Sequence, residues 1–284
     1  MSSVHGLLLG CIQGLGEFLP VSSSGHLLLV QILFGIQTDT PAMKMLDILL
    51  HFGTLIPVLI VFRREWADMI LHPVRNKTLL LLFLASLPTL VIYLGAKKAF
   101  PSVNGFAVFD NGWFLGVSFL ITAAFLLLCD RFASYRSEKG KKVGISHALV
   151  MGVFQGIGMI PGISRSGSTI LGGVSTGLNK STAARFSFMM STPAILASML
   201  MEGKDAVDNG YIKEIQPLPC ILGMIAAAIV GYFSIRFMIR IITRFPLAWF
   251  SLYLAVLGVA FLAAQVMGLF NAPPFEIPVV SPVS

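Results

Sequence analysis

The sequence predicts an all-α integral membrane protein, built from six transmembrane helices and two re-entrant helical hairpins in an inverted-topology repeat. Three observations predict it: an apolar composition, a motif that occurs twice, and basic residues concentrated in alternate loops. Of the 284 residues, 56% are hydrophobic and only 12% are charged, which is outside the range of soluble domains. We expect a single membrane domain over residues 1–284, with repeat halves at 1–135 and 140–284.

The first half opens with two short apolar runs separated by a polar break. The runs are Leu7–Leu15 and Leu27–Phe34, and the break, Gly16–His26, reads GEFLPVSSSGH. At about 1.5 Å of rise per residue, neither run crosses a bilayer core about 30 Å thick. We therefore predict a re-entrant hairpin whose break lines a cavity, because irregular backbone inside a membrane needs protein or water around it.

A second copy of this pattern lies in the other half of the chain. Its runs start at Ala148 and Ile170, and its break, Ile160–Thr169, reads IPGISRSGST. An ungapped comparison of residues 5–26 with residues 147–168 gives nine identities in 22 positions. The identical pairs are His5/His147, Leu7/Leu149, Gly10/Gly152, Gln13/Gln155, Gly14/Gly156, Gly16/Gly158, Ser22/Ser164, Ser24/Ser166 and Gly25/Gly167. Many of them are Gly, Gln or Ser rather than interchangeable aliphatic residues, which indicates a duplicated unit.

Six longer apolar segments are predicted to cross the membrane. They are Leu46–Phe62, Thr78–Ala96, Trp113–Cys129, Ala183–Met201, Leu218–Ile235 and Leu247–Leu269. Lys and Arg are concentrated in loops 63–77, 130–146 and 236–246, which the positive-inside rule places in the cytoplasm. Loops 97–112 and 202–217 and the tail after Asn271 then face outward.

This threading makes residues 1–45 enter and leave the membrane on the outer side, whereas residues 147–182 enter and leave on the inner side. The two hairpins are therefore predicted to be inverted relative to each other, with their tips meeting near the midplane. Membrane proteins with inverted repeats carry their sites at the interface between the repeats.

Arg165 lies within an apolar run of the second hairpin and requires an anionic partner, because an unpaired guanidinium is costly inside a membrane. One partner is Glu17, the only acidic residue of the first apolar run. The other is a phosphate or diphosphate ligand, which the planar guanidinium can bind through two parallel hydrogen bonds.

Hydroxyl-bearing residues are concentrated where each break turns into a helix. Ser and Thr in such positions are usually helix caps. Free backbone N–H groups at a helix start, in a loop that contains glycine, also form an anion-binding cradle. The predicted phosphate-binding residues are Ser22, Ser24, Gly25, Ser164, Ser166, Gly167 and Thr169.

Ser23, His26 and Glu17 are close in sequence across the Pro20 break and supply a hydroxyl, an imidazole and a carboxylate. These are the parts of an activated nucleophile whose base is oriented by a third group. Alternatively, the carboxylate holds a divalent cation against phosphate oxygens, and Gln13, one helical turn before Glu17, supports it.

Asp47 and His51 repeat this spacing in the first predicted span, and Thr54 follows them. Ionisable groups inside membranes are candidates for function. We expect these residues to hold the residues of the site in place without contacting the ligand. Alternatively, Asp47 and His51 form a hydrogen-bonded pair with no role at the site.

The other sequence signals argue against several other classes of protein. The net charge of +7 comes from loops between apolar spans rather than from a basic and aromatic face, so no nucleic acid is expected as a partner. Three widely separated cysteines indicate neither a disulfide framework nor a zinc site. The absence of a Walker loop leaves nucleotide-driven transport without support.

The runs QGLGEFLPVSSSGH (Gln13–His26), PGISRSGST (Pro161–Thr169) and LDILLHFGT (Leu46–Thr54) resemble the bacterial undecaprenyl-diphosphatase family of the bacitracin-resistance type. The resemblance implies a phosphatase of the bacterial inner membrane that removes one phosphate from a C55 isoprenyl diphosphate. This reaction recycles the lipid carrier of peptidoglycan precursors and underlies bacitracin resistance. The resemblance also implies a divalent cation, Mg or Ca, and a site open to the periplasm.

Carried over residue by residue, the resemblance makes Ser23 the nucleophile and His26 its acid/base partner. Glu17 with Gln13 would position the cation or water, and Arg165 would clamp the diphosphate. The expected partners are a polyprenyl diphosphate lipid, the membrane and, as a homodimer, a second copy of the chain. The alternative function is a transporter or flippase of a phosphorylated polyprenyl lipid, since inverted repeats with broken helices are common in such carriers.

Overall fold

The computed structural model describes residues 2–36, 40–99, 112–136, 142–208 and 216–269. The regular elements within these ranges are all α-helices, so the all-α prediction is confirmed. They are α1 Ser3–Phe18, α2 Ser23–Leu33, α3 Pro41–Val61, α4 Arg63–Leu71, α5 Thr78–Ala99, α6 Leu115–Arg136, α7 Ile145–Ile157, α8 Arg165–Ser175, α9 Lys180–Asp208, α10 Pro217–Ile241 and α11 Ala248–Val266. The predicted outward tail after Asn271 lies outside the described residues, as do parts of loops 97–112, 130–146 and 202–217.

Within the described ranges, five helices are long and apolar enough to cross a membrane: α3, α5, α6, α10 and α11. Large apolar side chains are exposed on their outer faces, for example Val91, Phe233 and Val256. Such faces suit lipid rather than water. The chain is therefore a multi-pass membrane protein.

The predicted span Ala183–Met201 lies in α9, which has 29 residues but is not among those five. Several of its polar side chains, including Ser187, Ser191 and Thr192, are buried. Helix α9 packs against α3, α5 and α8. Its polar residues face other helices, which explains why it is less apolar than its neighbours.

Several helices continue past the predicted apolar segments. Helix α6 extends from the predicted end at Cys129 to Arg136, and α10 extends from Ile235 to Ile241. Helix α4, Arg63–Leu71, occupies what was predicted as a loop. The apolar pattern ends where contact with lipid ends, but backbone hydrogen bonding can continue beyond that point.

At the positions of the two predicted hairpins the structure has the helix pairs α1–α2 and α7–α8, called the first and second hairpin below, and each packs against a helix outside the pair. Helix α1 lies on α10, and α7 lies on α5. Both contacts bring backbones together at a glycine. A Cβ built at Gly10 would be 2.2 Å from the carbonyl oxygen of Gly223, and one at Gly152 would be 2.1 Å from that of Ala85. Small residues permit such close helix packing in membranes.

The second arms of the hairpins match in length and spacing. Helices α2 and α8 each have 11 residues and start at Ser23 and Arg165, which are 142 positions apart (165 − 23). The two breaks are also in contact, because a Cβ built at Gly25 would be 2.7 Å from the Cα of Gly162. Ser166 Oγ donates a hydrogen bond to the carbonyl of Leu19 across the same junction, at 3.3 Å.

Candidate active site

The first break turns sharply at Ser22, immediately before α2. Ser22 has φ of 71°, the only positive value among the described residues other than glycine. Its Oγ accepts a hydrogen bond from the backbone N–H of Gly25 at 3.2 Å and so caps the helix. A non-glycine residue in this conformation is strained, and such strain is concentrated at functional sites.

The second break has the same cap. Ser164 Oγ accepts from the backbone N–H of Gly167 at 3.1 Å, as Ser22 does from Gly25. The turn before it contains Gly162, whose φ of 89° suits glycine. Each break therefore ends in a capped helix start, and the residue after the cap is Ser23 in one copy and Arg165 in the other.

A glycine in the first arm of each hairpin allows Ser23 and Arg165 to pack closely against that arm. A Cβ built at Gly16 would be 2.7 Å from the Cα of Ser23, and one at Gly158 would be 2.7 Å from the Cα of Arg165. No side chain fits between the arms at these points. The start of each second arm is thus held against the end of the first.

Glu17 joins the two breaks. Its Oε2 accepts hydrogen bonds from Ser23 Oγ at 2.7 Å and from Gln13 Nε2 at 3.2 Å. Its Oε1 forms an ion pair with Arg165 Nη2. Glu17, Gln13 and Ser23 are all buried, so water does not screen these interactions strongly.

His26 lies on the other side of the Ser22 turn. Its Nδ1 is 2.8 Å from the carbonyl oxygen of Ser22, and its Nε2 is 2.8 Å from the hydroxyl of Tyr253 on α11. The ring also packs against Phe119, with centroids 5.3 Å apart. The structure therefore pairs Ser23 with Glu17, while both nitrogens of His26 bond to other groups.

The remaining hydroxyls of the two breaks differ in role. Ser24 and Ser166 lie 3.4 Å and 3.3 Å from the capping hydroxyls of Ser22 and Ser164, and Ser166 also contacts the first break through Leu19. Thr169 instead donates to the carbonyl of Arg165 and lies 2.6 Å from Ser187 Oγ on α9. Thr169 fastens α8 to α9 rather than facing the Glu17 cluster.

The predicted supporting residues lie on α3, beside this cluster. His51 is within electrostatic reach of Glu17. Its Nδ1 bonds to the backbone carbonyl of Asp47 at 2.8 Å, and Thr54 Oγ1 donates to the carbonyl of His51 at 2.8 Å. These bonds fix the His51 ring and the backbone beneath it.

Two residues at the site were missed by sequence reasoning: Tyr253 and Thr122. Thr122 Oγ1 accepts from the backbone N–H of Ser164 at 3.0 Å and donates to the carbonyl of Gly162 at 3.0 Å. Both residues lie in long helices, far from both motifs in sequence. A polar residue within an apolar span was the only available signal, and many such residues have no role at the site.

Glu17 and Gln13 suit a divalent cation. Gln13 Oε1 is buried and has no hydrogen-bond partner among the described residues, one helical turn from the Glu17 carboxylate. Carboxylate and amide oxygens are ligands that Mg and Ca accept. Within the described ranges, no three His, Cys, Asp or Glu side chains are grouped around a metal position. Most ligands of a cation here would therefore be water or substrate oxygens.

The fold and the site together define a multi-pass membrane protein with a buried polar centre between two capped helix starts. The chain belongs to the family described as bacitracin resistance protein BacA, whose model matches residues 6–260.

Curated relatives match along almost the whole chain. The undecaprenyl-diphosphatase of Carboxydothermus hydrogenoformans is 42% identical over 271 residues, covering 95% of this chain and 100% of the relative. That of Halothermothrix orenii is 40% identical over 254 residues, covering 89% and 94%. That of Treponema denticola is 37% identical over 266 residues, covering 91% and 96%.

Proposed function

We propose that this chain is an undecaprenyl-diphosphate phosphatase, which hydrolyses a C55 isoprenyl diphosphate to the monophosphate and inorganic phosphate. Membership of the BacA family and the names of the relatives support this activity. The observation that carries the mechanism is the 2.7 Å hydrogen bond from Ser23 Oγ to Glu17 Oε2, beside Arg165. It supports a partly buried cluster in which Ser23 would be the nucleophile, Glu17 the proton acceptor and Arg165 the phosphate-binding group.

In the proposed reaction, Ser23 Oγ attacks the terminal phosphorus of the lipid diphosphate and Glu17 takes its proton. The bond from that phosphorus to the bridging oxygen breaks, and the lipid monophosphate leaves. Water then hydrolyses the phosphoserine and releases inorganic phosphate. The geometry supports Glu17 as the base, because Glu17 already accepts the hydrogen bond of Ser23, whereas His26 bonds to Ser22 and Tyr253.

Arg165 must exchange partners in this reaction. Before substrate binds it neutralises Glu17, and on binding its guanidinium reaches the phosphate oxygens as a planar fork. The starts of α2 and α8 face the same junction, and helix N-termini favour anions. Phosphoryl transfer depends mainly on positioning and on stabilising oxygen charge, which these groups supply.

A divalent cation is part of the proposal. Glu17 and Gln13 would hold it, and when bound it would neutralise phosphate charge. The oxygen-rich pair and the open acceptor on Gln13 support this assignment.

We also propose the finer topology: six spans, two re-entrant hairpins, repeat halves 1–135 and 140–284, and a site facing the periplasm of a bacterial inner membrane. The equal spacing of α2 and α8 and the reciprocal packing of α1 on α10 and α7 on α5 support the duplication. In that setting the enzyme would recycle the cell-wall lipid carrier. Homodimer formation stays an expectation.

The test is phosphate release from a prenyl diphosphate by purified protein, with divalent cation added or chelated. We expect the wild type to release phosphate only with cation, and Ser23→Ala to lose at least about a hundredfold in kcat while the melting temperature is kept. A wild type that binds the lipid diphosphate but never releases phosphate would overturn the proposal and favour transport of the lipid. Full activity of Ser23→Ala would instead favour direct attack by water.

A further inference from the structure

We propose that Tyr253 is a positioning residue for this reaction: through His26, it holds the strained Ser22 turn and so aims Ser23 at Glu17. The inference rests on the proposed phosphatase function. Tyr253 lies on α11, outside both motifs and 227 positions from His26, and its hydroxyl is 2.8 Å from His26 Nε2. None of the sequence signals pointed to it.

The hydrogen bonds assign the tautomer of His26. The carbonyl of Ser22 can only accept, so Nδ1, at 2.8 Å, carries the hydrogen. In the neutral ring Nε2 is then an acceptor, and the phenol of Tyr253 donates to it. Tyr253 thus stabilises the one tautomer that can donate to Ser22.

The Ser22 carbonyl connects the His26 ring to Ser23, the proposed nucleophile. It accepts from the ring of His26 and also from the backbone N–H of the same residue, at 3.2 Å. Ser22 has φ of 71°, a conformation that persists only when its surroundings impose it. Its carbonyl belongs to the peptide group that starts Ser23, so fixing that group fixes the direction of the Ser23 side chain.

The ring itself is held from two sides. Tyr253 stacks on His26 with centroids 5.7 Å apart and planes at 17°, and Phe119 of α6 contacts it with centroids 5.3 Å apart. Since α11 packs on α6, the two aromatic residues come from one helix pair. Helices α6 and α11 therefore hold the His26 ring, and with it the Ser22 turn, in one position.

The decisive variant is Tyr253→Phe, which keeps the stacked ring and removes only the hydroxyl. We expect kcat to fall about fivefold to tenfold, the effect of one lost hydrogen bond, with KM unchanged, because a positioning residue acts through His26 rather than on the substrate. The matched control is Tyr232→Phe on α10, which also loses a membrane tyrosine hydroxyl, bonded in this case to Arg236. It should keep wild-type kcat.

A spectroscopic measurement separates positioning from a general effect on folding. Protein labelled with [15N]histidine, compared with an otherwise identical His26→Gln sample, identifies the two ring signals of His26. The wild type should show a single neutral form with hydrogen on Nδ1. Tyr253→Phe should show mixed tautomers at an unchanged melting temperature.

The outcomes are distinct. A wild type with hydrogen on Nε2, or a Tyr253→Phe variant with unchanged kcat and unchanged ring signals, would overturn this inference while leaving the phosphatase intact. A wild type that releases no phosphate would instead overturn the proposed function. A variant with a lower kcat and altered ring signals supports the positioning role.

Discussion

Glu17 and Arg165 are 148 positions apart in the chain and form a partly buried ion pair across the two breaks. Removing two charges from solvent is costly, and mutual attraction repays this cost only with good geometry and further hydrogen bonds. Glu17 receives those further bonds from Ser23 and Gln13. The pair serves function in our proposal because it keeps a cationic clamp ready in an apolar setting until an anionic substrate arrives.

Arg165→Lys tests the clamp at the residue scale. Lysine keeps the charge but not the planar fork, so we expect kcat/KM to fall roughly tenfold to a hundredfold, equivalent to about 1.5–3 kcal/mol of charged hydrogen bonding. Steady-state kinetics on a prenyl diphosphate measure this. The control is Arg185→Lys, since Arg185 pairs with Glu65 at a partly exposed position away from the site and should tolerate the change. Near-normal kinetics of Arg165→Lys would make Arg165 a structural member of the ion pair.

At the scale of elements, both hairpins depend on a glycine where their arms touch. Gly16 faces the start of α2, and Gly158 faces the start of α8, each with its added Cβ 2.7 Å from backbone. Backbone cannot rotate away as a flexible side chain can. The glycines therefore set how closely Ser23 and Arg165 approach the first arms.

Gly16→Ala and Gly158→Ala should each destabilise the protein by about 1–3 kcal/mol, the usual effect of overpacking, and lower kcat. Thermal unfolding in detergent and phosphate release measure the two effects. Gly95→Ala is the control, because nothing lies within 4 Å of a Cβ at Gly95 of α5 and alanine favours a helix there. Wild-type stability and activity of both hairpin variants would show that the arms can separate without consequence.

At the scale of the whole molecule, apolar spans surround an interior that contains polar residues. Helix α9 contributes buried Ser187 and Ser191 to that interior, and Ser187 lies 2.6 Å from Thr169 of α8. Five other helices expose apolar side chains outward. Polar groups inside a membrane are tolerated where other helices satisfy them.

The proposed orientation predicts opposite labelling of two exposed positions. Val74→Cys, in the loop before α5, should react with an impermeant maleimide only after cells are permeabilised, and Lys98→Cys, near the other end of α5, should react in intact cells. The parent chain is the control, since none of its three cysteines is exposed. Labelling of both positions from the same side would contradict the orientation.

Much of the fold could be predicted because helices that cross a membrane must be apolar, and long apolar runs are visible in the sequence. Five of the six predicted spans, the two breaks and the membrane class followed from apolar runs, and Gly16, Ser22 and their counterparts marked the turns between the short helices. Helix α4 was missed because a short amphipathic helix in a basic loop has no long apolar run. The proximity of Glu17 and Arg165 was one of two alternatives left open, and only the packing of the hairpins joined them.

The sequence by itself determined the class of protein, the duplicated motif and the chemically capable residues Glu17, Ser23, His26 and Arg165, since each depends on local patterns. The tertiary structure decided how those residues are paired. It placed Ser23 on Glu17 rather than on His26, and it brought Tyr253 to the ring of His26. Such pairings depend on which helix faces which across the bundle, and helical periodicity carries no information about a partner 227 positions away.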